Sequence, residues 1–372
     1  MKIAINCIYY TPKGGGITEY IYNLVKELVK IDSKNSFIIY TTKESKESLR
    51  LIVGAKARIK VFPYSENQKY RRAFFQHSFW KKEELEEKFD IFHSPFFHAP
   101  VFKHAKTILT VHDLRFLNYP KSYKIARLIY LRYAVKKSVK KASKIICISE
   151  FTKNELIKNY GVEQSRLEVI HEAVDREGFN LSDKSKNRVI KDVKLRNNQF
   201  FLSVGHLEPR KNYNNLILAY SSLSESIRKK YPLIIVGKKN HDYKNDLKLI
   251  EKSIGVFYLE FISREDLIWL YANCKVHIFP SIYEGFGFPT LEAGLYAKPT
   301  IGANQSSIPE IAGKGAIYFD PFSIEDIRNT ILKVISDSAL YDHLSQFAKS
   351  NVKRFSWEEN ALKTMNIYHS FK

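Results

Sequence analysis

Short runs of β-branched and aromatic residues alternate with longer amphipathic stretches along the whole chain, and this alternation limits the fold more than any other feature. In the first half the runs are Ile3–Ile8, Phe37–Tyr40, Arg58–Phe62, Ile91–His93, Thr107–Val111, Lys144–Ile148 and Leu167–Ile170. In the second half they are Phe200–Val204, Leu233–Val236, Val256–Phe261, Val276–Phe279, Pro299–Ile301 and Ala316–Phe319. Helical patterns such as Thr18–Lys30, Ser122–Lys141 and Tyr213–Lys230 lie between them. Strand–helix alternation predicts a parallel sheet covered on both faces. Two such series in succession predict an α/β chain of two doubly wound, Rossmann-like domains.

The 372 residues suit two domains of ordinary size. Segment Asp175–Asn198 is polar and lacks a strong apolar period, so it reads as the start of the second domain after a linker near His171–Asp175. The expected division is 1–172, 173–353 and a closing stretch 354–372. In that stretch Trp357, Ala361, Leu362, Met365, Ile367, Tyr368 and Phe371 are close to helical spacing, which predicts a helix packing back on the first domain. Cys7, Cys147 and Cys274 are far apart and show neither metal-ligand spacing nor a disulfide framework; they read as small core residues in a reducing compartment. The N-terminal apolar run reads as a buried strand, not a signal segment, and no run of about 18 apolar residues occurs to span a membrane. The expected location is cytoplasmic.

Net charge is +21, with 32 Lys+Arg against 18 Asp+Glu in residues 1–175 and 28 against 21 in the rest. Such a field attracts nucleic acid, anionic membrane or phosphorylated substrates. No nucleic-acid module with interleaved aromatics is visible, which argues against a nucleic-acid partner. Residues 121–144 hold nine Lys/Arg and no Asp or Glu, interleaved with Tyr123, Ile125, Leu128, Ile129, Leu131, Tyr133, Val135 and Val139. Two readings stay open for this stretch: a surface for anionic lipid, or a helix with its apolar side on the sheet and its basic side in water.

The densest chemistry lies at Phe279–Glu292, Phe-Pro-Ser-Ile-Tyr-Glu-Gly-Phe-Gly-Phe-Pro-Thr-Leu-Glu. A strand ends at Phe279. Gly285 and Gly287 then let backbone approach a ligand, and Pro289 suits the first turn of a helix whose free N–H groups can take a phosphate. Glu284 and Glu292 frame the loop as acceptors for sugar hydroxyls. A second loop, Gly205-His-Leu-Glu-Pro-Arg-Lys211, follows another strand; Arg210 as a bidentate fork and Lys211 as a point charge suit a diphosphate. Two cations at a helix start conflict with the helix dipole, which predicts that replacing them costs catalysis and little stability. His112 lies just past the strand Thr107–Val111, at the end where open α/β sheets bind ligands. His93 and His98 could line an acceptor pocket or serve as structural loop histidines, and Asp113 could cap a turn.

These segments resemble glycosyltransferase family 4, retaining enzymes of the GT-B fold, and the resemblance runs nearly end to end. It rests on the Glu-x7-Glu loop and on Gly14–Gly16, Thr110-Val-His-Asp-Leu114, Ile148-Ser-Glu-Phe-Thr-Lys153, Val204-Gly-His-Leu-Glu-Pro-Arg-Lys-Asn212, Asn304-Gln-Ser-Ser-Ile-Pro-Glu310, Tyr318-Phe-Asp-Pro321 and Phe355-Ser-Trp357. It implies an active site between two facing domains. There Glu284 would contact the transferred sugar, Arg210 and Lys211 the diphosphate, Glu292 the ribose, and His112 the reacting sugar. Gly15, Gly16, Gly205, Tyr283, Gly285, Phe286, Gly287 and Thr290 would complete donor binding. His171-Glu172-Ala173 stands where the family often has Asn-Gly, and His206 where it often has Thr or Arg.

The implied reaction moves a hexose, with a leaning toward mannose, from a nucleoside diphosphate sugar to a saccharide or lipid-linked saccharide acceptor. The leaning rests on similarity to bacterial polysaccharide mannosyltransferases of the family. The donor is a substrate and no further cofactor is expected. No Asp-x-Asp metal motif occurs, so no metal requirement is expected. A same-fold epimerase or a phosphorylase-like enzyme is the alternative; the paired glutamates argue against the first, and the lack of an obvious cofactor lysine argues less firmly against the second.

Overall fold

A computed structural model describes residues 1–12, 14–65, 68–182 and 185–372, with the side chains at 69, 70, 72–74 and 77 left aside. The chain divides into two compact units: Met1–Ala173 with Ser356–Lys372, and Val174–Phe355.

The first unit holds seven parallel strands: β1 (Lys2–Asn6), β2 (Ser36–Thr41), β3 (Ala57–Val61), β4 (Ile91–Ser94), β5 (Lys106–Val111), β6 (Lys144–Cys147) and β7 (Leu167–Val169). Their spatial order is β3-β2-β1-β4-β5-β6-β7. The order reverses between β1 and β4, which pair in register from Ile3↔Ile91 to Ile5↔His93. The β1 run Ile3–Ile5 is fully buried, as expected where helices cover both faces of a sheet.

The second unit opens with an antiparallel hairpin, β8 (Asn187–Ile190) and β9 (Val193–Arg196). Its main sheet is parallel and six-stranded, from β10 (Phe201–Val204), β11 (Leu233–Val236), β12 (Val256–Leu259), β13 (Val276–Phe279), β14 (Thr300–Ala303) and β15 (Ala316–Phe319). The order is β12-β11-β10-β13-β14-β15, with its reversal between β10 and β13. Loops leaving those two strands therefore diverge at a topological switch point, the place where open α/β sheets hold ligands.

One sequence expectation gains detail and one is corrected. The polar segment 175–198 contains the β8–β9 hairpin; positions 183–184 of it lie outside the described residues. Only Ile190 and Leu195 of the hairpin are buried, so its apolar signal is too sparse to read as a strand pair. The pattern Tyr213–Lys230 is two helices, Tyr213–Ser221 and Glu225–Lys230, broken where the Ser224 hydroxyl accepts the Ile227 N–H and caps the second.

The three cysteines are buried thiols, and burial pushes each well above its ordinary range. The C-terminal helix Trp357–His369 lies against the helix Gly16–Ile31 of the first unit. It buries Trp357, Ala361, Met365 and Tyr368, and the Tyr368 hydroxyl meets His93 Nδ1 at 2.6 Å. Tyr368→Ala should therefore destabilise the first unit by about 3–5 kcal/mol. Urea denaturation of the full chain measures it, and a loss under about 1 kcal/mol would contradict this packing.

Candidate active site

Within the second unit, the loops after β10 and β13 meet through charge. Gly205 begins the first loop; a Cβ there would come within 3.0 Å of the Lys211 side chain and the Tyr213 hydroxyl. Arg210 and Lys211 lie on a single 3-10 turn, Pro209–Lys211, followed by Asn212 in the left-handed region (φ 56°), and the helix proper starts at Tyr213. From this turn Lys211 Nζ reaches Glu284 Oε1 at 2.5 Å. Arg210 reaches Glu284 Oε2 at 2.8 Å and Glu208 Oε1 at 2.6 Å, and also donates to the Tyr283 carbonyl at 2.8 Å. Asn240 donates to the other oxygen of Glu208 at 3.0 Å. Two carboxylates thus balance two cations, with all four side chains at most 13% exposed.

Burial alone would raise the Glu284 carboxyl; Arg210 and then Lys211 override it and hold the group down at about 2. Burial draws Lys211 below its ordinary range, with Glu284 opposing the shift. Partial desolvation of the ring by its neighbours and the Lys211 charge also lower His206, whose Nδ1 accepts the Lys238 N–H at 3.4 Å.

The dipole argument for Arg210 and Lys211 is corrected by this geometry. Both precede the helix, and their charges are met by Glu208 and Glu284. Removing either cation leaves a carboxylate buried and undercompensated, so the expectation of little stability loss is withdrawn.

The Glu284 loop is braced from below. Glu284 N donates to Ser306 Oγ at 3.0 Å, and the single Ser307 hydroxyl hydrogen is shared between the carbonyls of Phe286 at 2.7 Å and Glu284 at 3.0 Å. Tyr283 and Phe286 are buried. Gly287 (φ 116°) is the residue before the helix Phe288–Leu295, with Pro289 in its first turn and Thr290 Oγ1 donating back to the Gly287 carbonyl at 2.9 Å. Gly285 lies between Glu284 and Phe286 on the same loop. Glu292 is one turn into that helix and accepts the Tyr271 hydroxyl at 2.5 Å.

In the first unit, Gly15 is the residue before the helix Gly16–Ile31, and a Cβ on Gly15 would meet nothing within 4 Å. His112 follows β5; its Nδ1 is 2.9 Å from Glu172 Oε1 and its Nε2 3.2 Å from the Pro95 carbonyl. Asp113 caps a turn by accepting the Arg115 N–H at 3.0 Å. His93 is fully buried between Tyr368 and Thr110, and burial lowers it to about 3; it is a core residue, the structural one of the two readings left open. His98 is buried with its Nε2 3.2 Å from the Tyr9 hydroxyl.

Sequence reasoning passed over Glu208, Tyr271 and Glu172 as site residues. Glu208 was legible as the carboxylate two positions before Arg210. The pairings of Tyr271 and Glu172 span 21 and 60 positions and leave no local signal. Among the described residues, no three His, Cys, Asp or Glu side chains gather as metal ligands would.

Comparison with known proteins matches the model for Glycosyltransferase Family 4 to residues 14–177 and that for Glycosyl transferases group 1 to residues 185–351. The chain belongs to glycosyltransferase family 4. It is similar to O-antigen chain mannosyltransferase B of Escherichia coli, with 29% identity over 75% of this chain and 74% of that protein. It is 34% identical to the serotype-specific mannosyltransferase WbdA of Escherichia coli over 59% of this chain, a match that spans only 28% of WbdA. The Anabaena protein HepE, solved with UDP and glucose, superposes with a TM-score of 0.73 at 18% identity and full coverage of both chains, which establishes the GT-B fold. The protein is a glycosyltransferase.

The depressed Glu284 carboxyl has a definite pH consequence. Its contribution to stability is complete above about pH 4.5 and is lost as pH falls toward 2. Acid unfolding of the wild type should steepen in that window, and Glu284→Gln should flatten it. Superimposable acid profiles would contradict the ion pairs.

Proposed function

We propose that this glycosyltransferase moves a hexose, mannose by preference, from a nucleoside diphosphate sugar to a saccharide or lipid-linked saccharide during synthesis of a surface polysaccharide. The observation that carries the reading is the pair Arg210–Lys211 held on Glu284 at the switch point of the second sheet. Two cations on one turn can exchange their carboxylate partner for the two phosphoryl groups of a donor. The mannose preference is supported by the names of the O-antigen and WbdA relatives, and the diphosphate class by the UDP held in HepE.

In this reading Glu292 takes the ribose. Glu284, released from the cations, meets the transferred sugar together with the amides of Gly285 to Gly287. Tyr283, Phe286 and Thr290 shape that loop, Gly205 lets Lys211 lie close, and Gly15 and Gly16 form the glycine turn of the first unit. His112 serves the reacting sugar. The bond from the anomeric carbon to the leaving phosphate oxygen breaks as the acceptor oxygen bonds on the same face, and the acceptor proton passes to the departing phosphate. The protein positions the reactants and stabilises the growing negative charge with Arg210, Lys211 and the helix beginning at Phe288. Neither a metal nor a cofactor has a part in this scheme.

The product should keep the anomeric configuration of the donor, and turnover should persist in EDTA. Proton NMR of the product made with GDP-mannose and, separately, UDP-glucose reads the first. An inverted product would overturn the scheme, and activity abolished by EDTA and restored by manganese would overturn its metal-free form.

We further propose that the first unit works at an anionic membrane face. The basic helix Ile125–Lys141 buries Leu131, Val135 and Val139, and its Lys and Arg side chains lie in water. Yet Ile125, Ile129 and Tyr133 are also 77%, 63% and 67% exposed, four residues apart along one stripe. Apolar groups flanked by cations suit a lipid headgroup boundary, where each Lys or Arg contributes about 1 kcal/mol. No helix among the described residues is long and apolar enough to cross a membrane. Vesicle co-sedimentation should need anionic lipid, weaken with salt and fall in Ile129→Glu. Equal binding to neutral vesicles, or none to either, would refute the membrane assignment.

A further inference from the structure

His112 stands on the loop after β5 with both ring nitrogens against oxygen atoms: Glu172 Oε1 at 2.9 Å from Nδ1 and the Pro95 carbonyl at 3.2 Å from Nε2. A carbonyl oxygen can only accept, so Nε2 carries a hydrogen. A carboxylate also accepts, which puts a second hydrogen on Nδ1. The His112 side chain is 8% exposed and that of Glu172 2%. A lone imidazolium at that depth would be costly, and a carboxylate in contact offsets the cost.

We propose that Glu172 is the positioning residue that holds His112 as a doubly donating imidazolium, so that the ring serves the reaction as a fixed charge and exchanges no proton with substrate. The inference rests on the reading of His112 as a residue of the reacting sugar's site. Glu172 is itself placed from the far end of the chain. Asn360, on the C-terminal helix, donates to the carbonyl of His171 at 2.8 Å and so fixes the backbone that carries Glu172. Tyr20 packs edge-on against the His112 ring, with centroids 4.8 Å apart, and its hydroxyl is engaged by Thr110 Oγ1 at 3.0 Å.

The charges around the ring agree. Burial pulls His112 down, but Glu172, the Pro95 carbonyl and Asp113 together outweigh it; the net direction is up from 6.5. His93, on β4, is held neutral by burial and by the His112 charge. A raised folded-state value means that the stability contributed by the pair is complete below about pH 6.5. It is lost as pH rises through the folded-state value.

The experiment follows the His112 ring by heteronuclear NMR in the full chain, assigned by the loss of its signals in His112→Gln, while kcat and donor KM are measured against pH. In the wild type the ring should stay doubly protonated above pH 6.5. In Glu172→Gln the titration midpoint should fall by about one unit or more, a tenfold loss of proton affinity. At neutral pH kcat should drop about tenfold with donor KM little changed, and should recover as pH falls through the new midpoint. Glu172→Asp keeps the charge and should hold the midpoint up with most of the turnover; it also serves if the Gln variant fails to fold. A wild-type midpoint at or below 6.5, or one unmoved in Glu172→Gln, overturns the proposal. A midpoint that falls while kcat is unchanged at every pH leaves the clamp standing and overturns the placing of His112 at the reacting sugar.

Discussion

One carboxylate, Glu284, accepts Lys211 on one oxygen and Arg210 on the other, and the junction of the loops after β10 and β13 depends on that bridge. Without it Lys211 would lose its carboxylate partner and Arg210 would keep only Glu208, leaving the turn with one buried positive charge in excess. With it, and with Glu208 on the far side of Arg210, the cluster is neutral and keeps its shape. If the cluster takes the donor as proposed, it is assembled before the ligand arrives and needs only an exchange of partners. A diphosphate offers the same pair of negative oxygens that the two carboxylates supply. In the proposed function the energetic consequence is competition: a donor diphosphate would have to displace Glu284 from the two cations.

The architecture explains why these residues meet. Arg210 and Glu284 are 74 positions apart, yet their loops leave β10 and β13, adjacent strands on either side of the reversal in strand order. A parallel sheet sends all its carboxyl ends to one edge, and the reversal parts the connecting helices there. In the first unit the sheet reverses between β1 and β4, and the glycine turn leaves β1. The C-terminal helix contributes to this unit from outside its continuous sequence. Its Tyr368 satisfies His93, and its Asn360 steadies the backbone beside Glu172.

Much of this was legible in the residues themselves. Thirteen sequence runs correspond to the thirteen described strands of the two main sheets; central ones such as Ile3–Ile5 and Leu233–Val236 are continuously apolar because both their faces are buried. The β8–β9 hairpin escaped because it buries little, and the break at Ser222–Ser224 because a serine cap can interrupt a helical pattern without proline or glycine. At the site, residue types and loop positions pointed to Arg210, Lys211 and Glu284, but their mutual pairing did not show. Pattern reasoning treats a cation as waiting for a ligand, whereas a folded chain must neutralise it in the meantime. His93 was open between two readings, and only the three-dimensional fold decides for the structural one, by enclosing it between Thr110 and Tyr368.

The central claim is that Glu284 and a donor diphosphate compete for the same two cations, and Glu284→Gln tests it most directly. Calorimetric titration of GDP and UDP into wild type and variant, beside turnover with the corresponding donor, separates binding from chemistry. The variant should bind the nucleoside diphosphate at least as tightly as wild type. Its turnover should fall about a hundredfold or more, because the contact to the transferred sugar is gone. A variant that binds the diphosphate more than about tenfold weaker, or that turns over at the wild-type rate, would contradict it.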